Sequence, residues 1–66
     1  MTGPELRDHR IHRELSQSEL AALMDISPST VSRWEKGLRK IGPLAAAAIA
    51  AALEKVDVTE FGRAGR

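Results

Sequence analysis

Sixty-six residues suffice for one small domain, near the lower limit at which an apolar core alone holds a fold. The absence of cysteine excludes a disulfide framework and a thiolate metal site, and no apolar run approaches the ~20 residues that span a bilayer. Ten basic against nine acidic residues leave a net charge of +1, which excludes an indiscriminate polycation.

The distribution of charge says more than its total. From Ser27 to Gly42 the cations Arg33, Lys36, Arg39 and Lys40 stand against Glu35 alone, a local balance of +3. From Met1 to Ile26, Arg7, Arg10 and Arg13 stand against Glu5, Asp8, Glu14, Glu19 and Asp25, a balance of −2. Such a concentration of positive charge suits a surface that contacts phosphates. The start lacks a secretory signal, and the expected setting is the cytoplasm.

In chain order, Met1 to Gly3 reads as a loose end. Pro4 opens a first helix, with Glu5 in its first turn where the dipole favours an anion. Leu6, His9, Arg10 and Arg13 share one face, and Leu15 closes the segment. His9 and His12 are spaced i, i+3, but no third ligand supports a metal site. Ser16 and Glu19 form an S-x-x-E capping box that starts a second helix. Leu20, Ala21, Leu23 and Met24 are its apolar stripe, and the small Ala21 lets a neighbouring helix approach closely. The pattern stops at Asp25, and Ile26 plugs the turn.

Ser27 offers a second N-cap and Pro28 occupies the first helical position, so a third helix runs from Pro28 to Lys36, ended by a left-handed Gly37. Val31 and Trp34 face the core. Ser29, Ser32, Arg33 and Lys36 face outward. A helix that buries a valine and a tryptophan while showing serines and cations suits a DNA major groove. The basic loop that follows would lay Lys36, Arg39 and Lys40 along a sugar–phosphate backbone, or simply solvate them. Gly42-Pro43 restarts the chain as a helix over Leu44 to Leu53, with Ala46, Ile49, Ala50 and Leu53 as its core stripe. Its outer alanines reflect helix propensity, or else a docking face. Asp57 caps a last short turn, with Glu60 at the capping-box position and Val58 and Phe61 as apolar contacts. Residues 62–66 read as a flexible tail. No nucleophile–base–orienter set and no phosphate-cradling glycine loop is present, so an enzyme is not expected.

These residues resemble the helix-turn-helix of the lambdoid-repressor and Cro-like (XRE-type) regulators. The resemblance is carried by Leu15-Ser16-Gln17, Glu19-Leu20-Ala21, Ile26-Ser27, Ser29 to Glu35 and Gly37, with Ile49-Ala50 and Leu53 fitting the family's fourth helix. It covers about Leu6 to Phe61. Two positions depart from the pattern, since Glu14 and Asp25 stand where glycine is usual. Asp tolerates left-handed geometry well and Glu14 fits less comfortably.

The resemblance implies an all-α, lambda-repressor-like bundle of about five short helices, one domain over 1–66 with an ordered core at 4–61 and the motif at helices two and three. It implies a partly buried pair between Arg10 and Glu35, and a packed imidazole at His9, where an apolar residue is usual. Pro28, Ser29, Ser32 and Arg33 match the positions that read bases. Arg33 suits guanine best, because its guanidinium can donate two parallel hydrogen bonds to O6 and N7. Gln17, Ser27, Thr30, Lys36, Arg39 and Lys40 match or flank phosphate contacts. Val56, Val58 and Phe61 are dimer candidates, although Phe61 could instead close the monomer core. The implied protein is a sequence-specific regulator of double-stranded DNA: a small dimeric repressor or autoregulator, of a phage or mobile-element Cro-like kind or an anti-CRISPR-associated kind, reading an inverted repeat. The alternative is an antitoxin or adaptor that mainly binds a protein partner. No cofactor, metal, membrane or small-molecule ligand is expected.

Overall fold

The computed structural model of the chain describes residues 1–56. They form four helices: α1 (Gly3–His12), α2 (Gln17–Met24), α3 (Pro28–Lys36) and α4 (Pro43–Leu53). The fifth helical turn expected from Asp57, with Val58, Glu60 and Phe61, lies outside the described residues, as does the tail at 62–66.

Each start has a local cause. Thr2 caps α1, accepting from the Glu5 N–H at 3.2 Å while its own N–H donates to Glu5 Oε1 at 2.7 Å. The same reciprocal arrangement joins Ser16 and Glu19 at 3.0 and 2.7 Å and starts α2. Thr2 and Gly3 are therefore built into α1, which corrects the reading of Met1 to Gly3 as a loose end. Proline lies at the start of α1, α3 and α4, where the missing N–H costs nothing.

Three of the four helices end in the same way. The residue after the last turn turns left-handed, at Glu14 (φ 54°), Asp25 (φ 56°) and Gly37 (φ 78°). The N–H of the following residue then reaches back to a carbonyl five residues earlier: Leu15 to Arg10 at 3.1 Å, Ile26 to Ala21 at 3.0 Å, Leu38 to Arg33 at 2.9 Å. Glu14 and Asp25 hold backbone conformations that glycine adopts more cheaply, and the paired carbonyls fix them there.

The core comprises Leu6, Leu20, Ala21, Val31, Trp34, Ile49, Ala52 and Leu53, with Leu15, Leu23, Met24, Ile26, Ile41 and Ala45 packed around it. Helix α3 packs on α2 and α1, and α4 packs on α2. Two burial expectations are corrected. Ala50 is exposed, while Ala45 and Ala52 join Ile49 and Leu53 in the inward stripe of α4. An alanine-rich helix gives almost no periodic signal to fix its rotation, and its facing follows the two large side chains it buries, Ile49 and Leu53. His9 is exposed, because Arg10 and Arg13 take the inward positions of α1. Arg13 donates from Nε to the carbonyls of Leu53 and Val56, both at 3.1 Å, and so places a cation against the C-terminal end of α4.

Gly3 lies against the last turn of α3. A Cβ there would stand 2.7 Å from the Glu35 carbonyl oxygen and closer still to that of Trp34. Gly3→Ala should therefore cost about 1–3 kcal/mol in urea or thermal unfolding. Gly42→Ala, with nothing near its added methyl, should cost less than about 1 kcal/mol. Equal effects would show that α1 and α3 can part without cost.

Candidate nucleic-acid interface

The geometry of α3 follows from one inward-facing edge. Val31 and Trp34 are buried, and between their turns and the next lies Glu35, whose carboxylate Arg10 grips from two directions. Arg10 Nε donates to Glu35 Oε2 at 2.7 Å and Nη2 donates to Oε1 at 2.9 Å. The third arm of the guanidinium, Nη1, donates to the Leu15 carbonyl at 2.9 Å. Gln17 Nε2 donates to Glu35 Oε1 at 3.1 Å. The Glu35 carboxylate thus ties α3 to α1 and α2, and Arg10 extends the link to the α1–α2 turn, with the Arg10 and Glu35 side chains only 12% and 4% exposed.

Burial by itself would push the Glu35 carboxyl up, but hydrogen bonds from Arg10 and Gln17 and the charges of Arg10 and Arg7 outweigh it and hold the group below its ordinary value. The hydrogen bond to Glu35 raises Arg10 in turn, against the opposing effect of burial.

With that edge fixed, the opposite edge of α3 is presented outward. Pro28, Ser29, Arg33 and Lys36 are exposed, and Thr30 and Ser32 are half-buried. Ser27 caps the helix, accepting from the Ser29 N–H at 3.2 Å, and the two serine hydroxyls share a hydrogen bond at 2.7 Å. Arg39 and Lys40 are exposed on the loop that follows. Arg33, Lys36, Arg39 and Lys40 pair with no carboxylate among the described residues, so four cations are left facing solvent on and beside one helix. At the N-terminus of α2, the capping box uses the N–H groups of Ser16 and Glu19. Those of Gln17 and Ser18 remain without an intrahelical acceptor and point out of the helix end. The side chain of Gln17 is turned inward to Glu35. Val56 is half-buried beyond α4, and its carbonyl is held by Arg13.

Helices α2 and α3 with a left-handed Asp25 between them, and an exposed polar edge on the second, are the geometry of a DNA-binding helix-turn-helix. A helix-turn-helix family model matches residues 6–61. The chain belongs to the Cro/C1-type, or XRE, helix-turn-helix family. No curated protein and no solved structure gives a match. The family is one of DNA-binding transcription regulators with a lambda-repressor-like all-helical fold, and the four described helices have that character. Among the described residues no helix is long and apolar enough to cross a membrane, and no group of three His, Asp or Glu side chains gathers for a metal.

Sequence reasoning missed two parts of this arrangement. Arg13 was legible as an inward residue of α1, but not its carbonyl partners 40 and 43 residues away. The inward turn of Gln17 was hidden by its place at a helix start, where a polar side chain has several uses.

Removing one side of the Arg10–Glu35 pair should be costly, because the other charge stays buried. Arg10→Ala and Glu35→Ala should each lose about 3–5 kcal/mol, and the apolar double variant Arg10→Met/Glu35→Leu should recover part of it. Additive losses in a double-mutant cycle would show that the two side chains act independently. The pH dependence has a defined sign. A carboxyl with a lowered folded pKa stabilises above its unfolded pKa of about 4.3, and that contribution goes as pH falls through the folded value. Urea midpoints should therefore drop below about pH 4, and drop less in Glu35→Gln than in the parent.

Proposed function

We propose that the chain is a small dimeric repressor or autoregulator that reads an inverted-repeat operator with α3. The observation that carries this reading is the pairing of an internally locked Glu35 edge with an exposed edge bearing Pro28, Ser29, Arg33 and Lys36. A rigidly held helix is worth more than a mobile one, because its orientation is fixed before DNA arrives.

In this reading Arg33 donates two hydrogen bonds to a guanine in the major groove, a contact that discriminates by ~1–3 kcal/mol. Ser29 and Ser32 add short polar contacts and Pro28 an apolar one. Lys36, Arg39 and Lys40 lie along the phosphates, with Ser27 and Thr30 at the helix start. At α2 the free N–H groups of Gln17 and Ser18 receive a phosphate, while the Gln17 side chain supports Glu35. A two-fold dimer would set two copies of α3 about one DNA turn apart, ~34 Å. Of the expected dimer residues, Val56 follows α4 in a half-buried position, while Val58 and Phe61 lie outside the described residues.

A second reading is favoured by a different observation. Leu44 is 88% exposed, and Ala47, Ala48 and Ala51 extend its face along α4. That face suits a protein partner, as an antitoxin or adaptor would need.

Fluorescence anisotropy with a duplex from upstream of the gene and a shuffled duplex, at two salt concentrations, separates the readings. Tight binding to the native duplex at two chains per site supports the dimeric regulator. Weak, equal and salt-sensitive binding to both, with a second protein co-purifying, supports the adaptor. Within the first reading, Arg33→Ala should weaken binding to the preferred duplex about 10-fold or more and hurt the shuffled duplex less. Lys40→Ala should weaken both alike and reduce the slope of log K against log salt by about 1.

A further inference from the structure

Leu38 breaks a regularity within this chain. Three helices end in the same left-handed motif, and in each the residue after the left-handed position is apolar: Leu15, Ile26 and Leu38. Such a residue ordinarily folds back onto apolar surface. Leu15 and Ile26 do so and pack against the core, whereas Leu38 is 75% exposed.

A lone exposed leucine is unremarked on most surfaces, but the placement of this one narrows its use. Its N–H donates to the Arg33 carbonyl at 2.9 Å and the next N–H, of Arg39, reaches the same oxygen at 3.2 Å. The leucine is thus held beside the turn of α3 that carries Arg33. Lys36, Arg39 and Lys40 flank it in sequence, all exposed and unpaired with any described carboxylate. A second copy or an apolar protein groove would have to bury those like charges around the leucine without compensation. A nucleic-acid backbone supplies both needs, since its phosphates neutralise the cations and its deoxyribose rings present carbon.

We propose that Leu38 is an apolar DNA contact, its side chain packing on a deoxyribose face at the wall of the groove that Arg33 enters. This rests on the DNA-binding reading and adds a contact of another kind to it. Salt weakens phosphate contacts in proportion to the counterions displaced. An apolar contact displaces none, so affinity and salt dependence separate at this residue.

The test compares the full-length parent with Leu38→Ser and Leu38→Met, using two duplexes: one enriched by the parent from a random-sequence pool, and one of mixed sequence. Affinity is measured over a range of salt, and each DNA-free chain is examined by thermal unfolding and sedimentation equilibrium. Leu38→Ser should bind both duplexes roughly 5- to 10-fold more weakly with an unchanged salt slope, an unchanged melting midpoint and unchanged self-association. Leu38→Met should bind as the parent does. Parental affinity in Leu38→Ser overturns the inference and leaves the DNA reading intact. A loss confined to the enriched duplex overturns the sugar placement in favour of a base edge. A loss that accompanies weaker self-association assigns Leu38 to a contact between copies and overturns the inference. If the parent binds neither duplex, the DNA reading fails and the inference fails with it.

Discussion

The structure hangs on one carboxylate. Glu35 is the only acidic residue in the basic stretch from Ser27 to Gly42, and it is spent inward. Both its oxygens accept from Arg10, and one also accepts from Gln17. Without it, α3 would be held to α1 and α2 mainly by Val31 and Trp34, an apolar contact that resists separation more than rotation. A bidentate pair with fixed fork geometry defines an angle as well as a distance. The rotation of α3 about its own axis decides which side chains it shows, so the direction of its exposed edge is set by a polar contact on its far side.

That division also explains the local charge. Once Glu35 is neutralised within the protein, nothing among the described residues offsets Arg33, Lys36, Arg39 and Lys40 outside it. The modest net charge of +1 thus conceals a one-sided field. Elsewhere two anions, Glu5 and Glu19, serve folding directly, each closing a capping box.

Much of this was legible from sequence because the decisive signals are local. Ser16 with Glu19, Ser27 with Pro28, and Gly37 fix the motif helices by their own chemistry, and the structure places α2 and α3 at those bounds. The reading lost its hold where neighbours compete for one face. On α1, leucine and two arginines fill the inward positions, and His9 is turned outward because Arg13 reaches the end of α4, a contact with no local sign in the sequence. On α4, seven alanines carry almost no directional information, so the inward stripe ran through Ala52 instead of Ala50. The close approach of Gly3 to α3 depends on tertiary packing and has no local sign.

The exposed edge of α3 has a consequence for how such a chain changes over generations. The side chains of Pro28 and Arg33 take no part in the core, and those that hold the helix in place, Val31, Trp34 and Glu35, point the other way. The packed edge and the exposed edge are therefore carried by different residues of the same nine-residue helix. Replacement at Pro28 or Arg33 need not wait for a compensating change in the interior, so under the proposed reading descendants could diverge in what they recognise while inheriting the same packed frame.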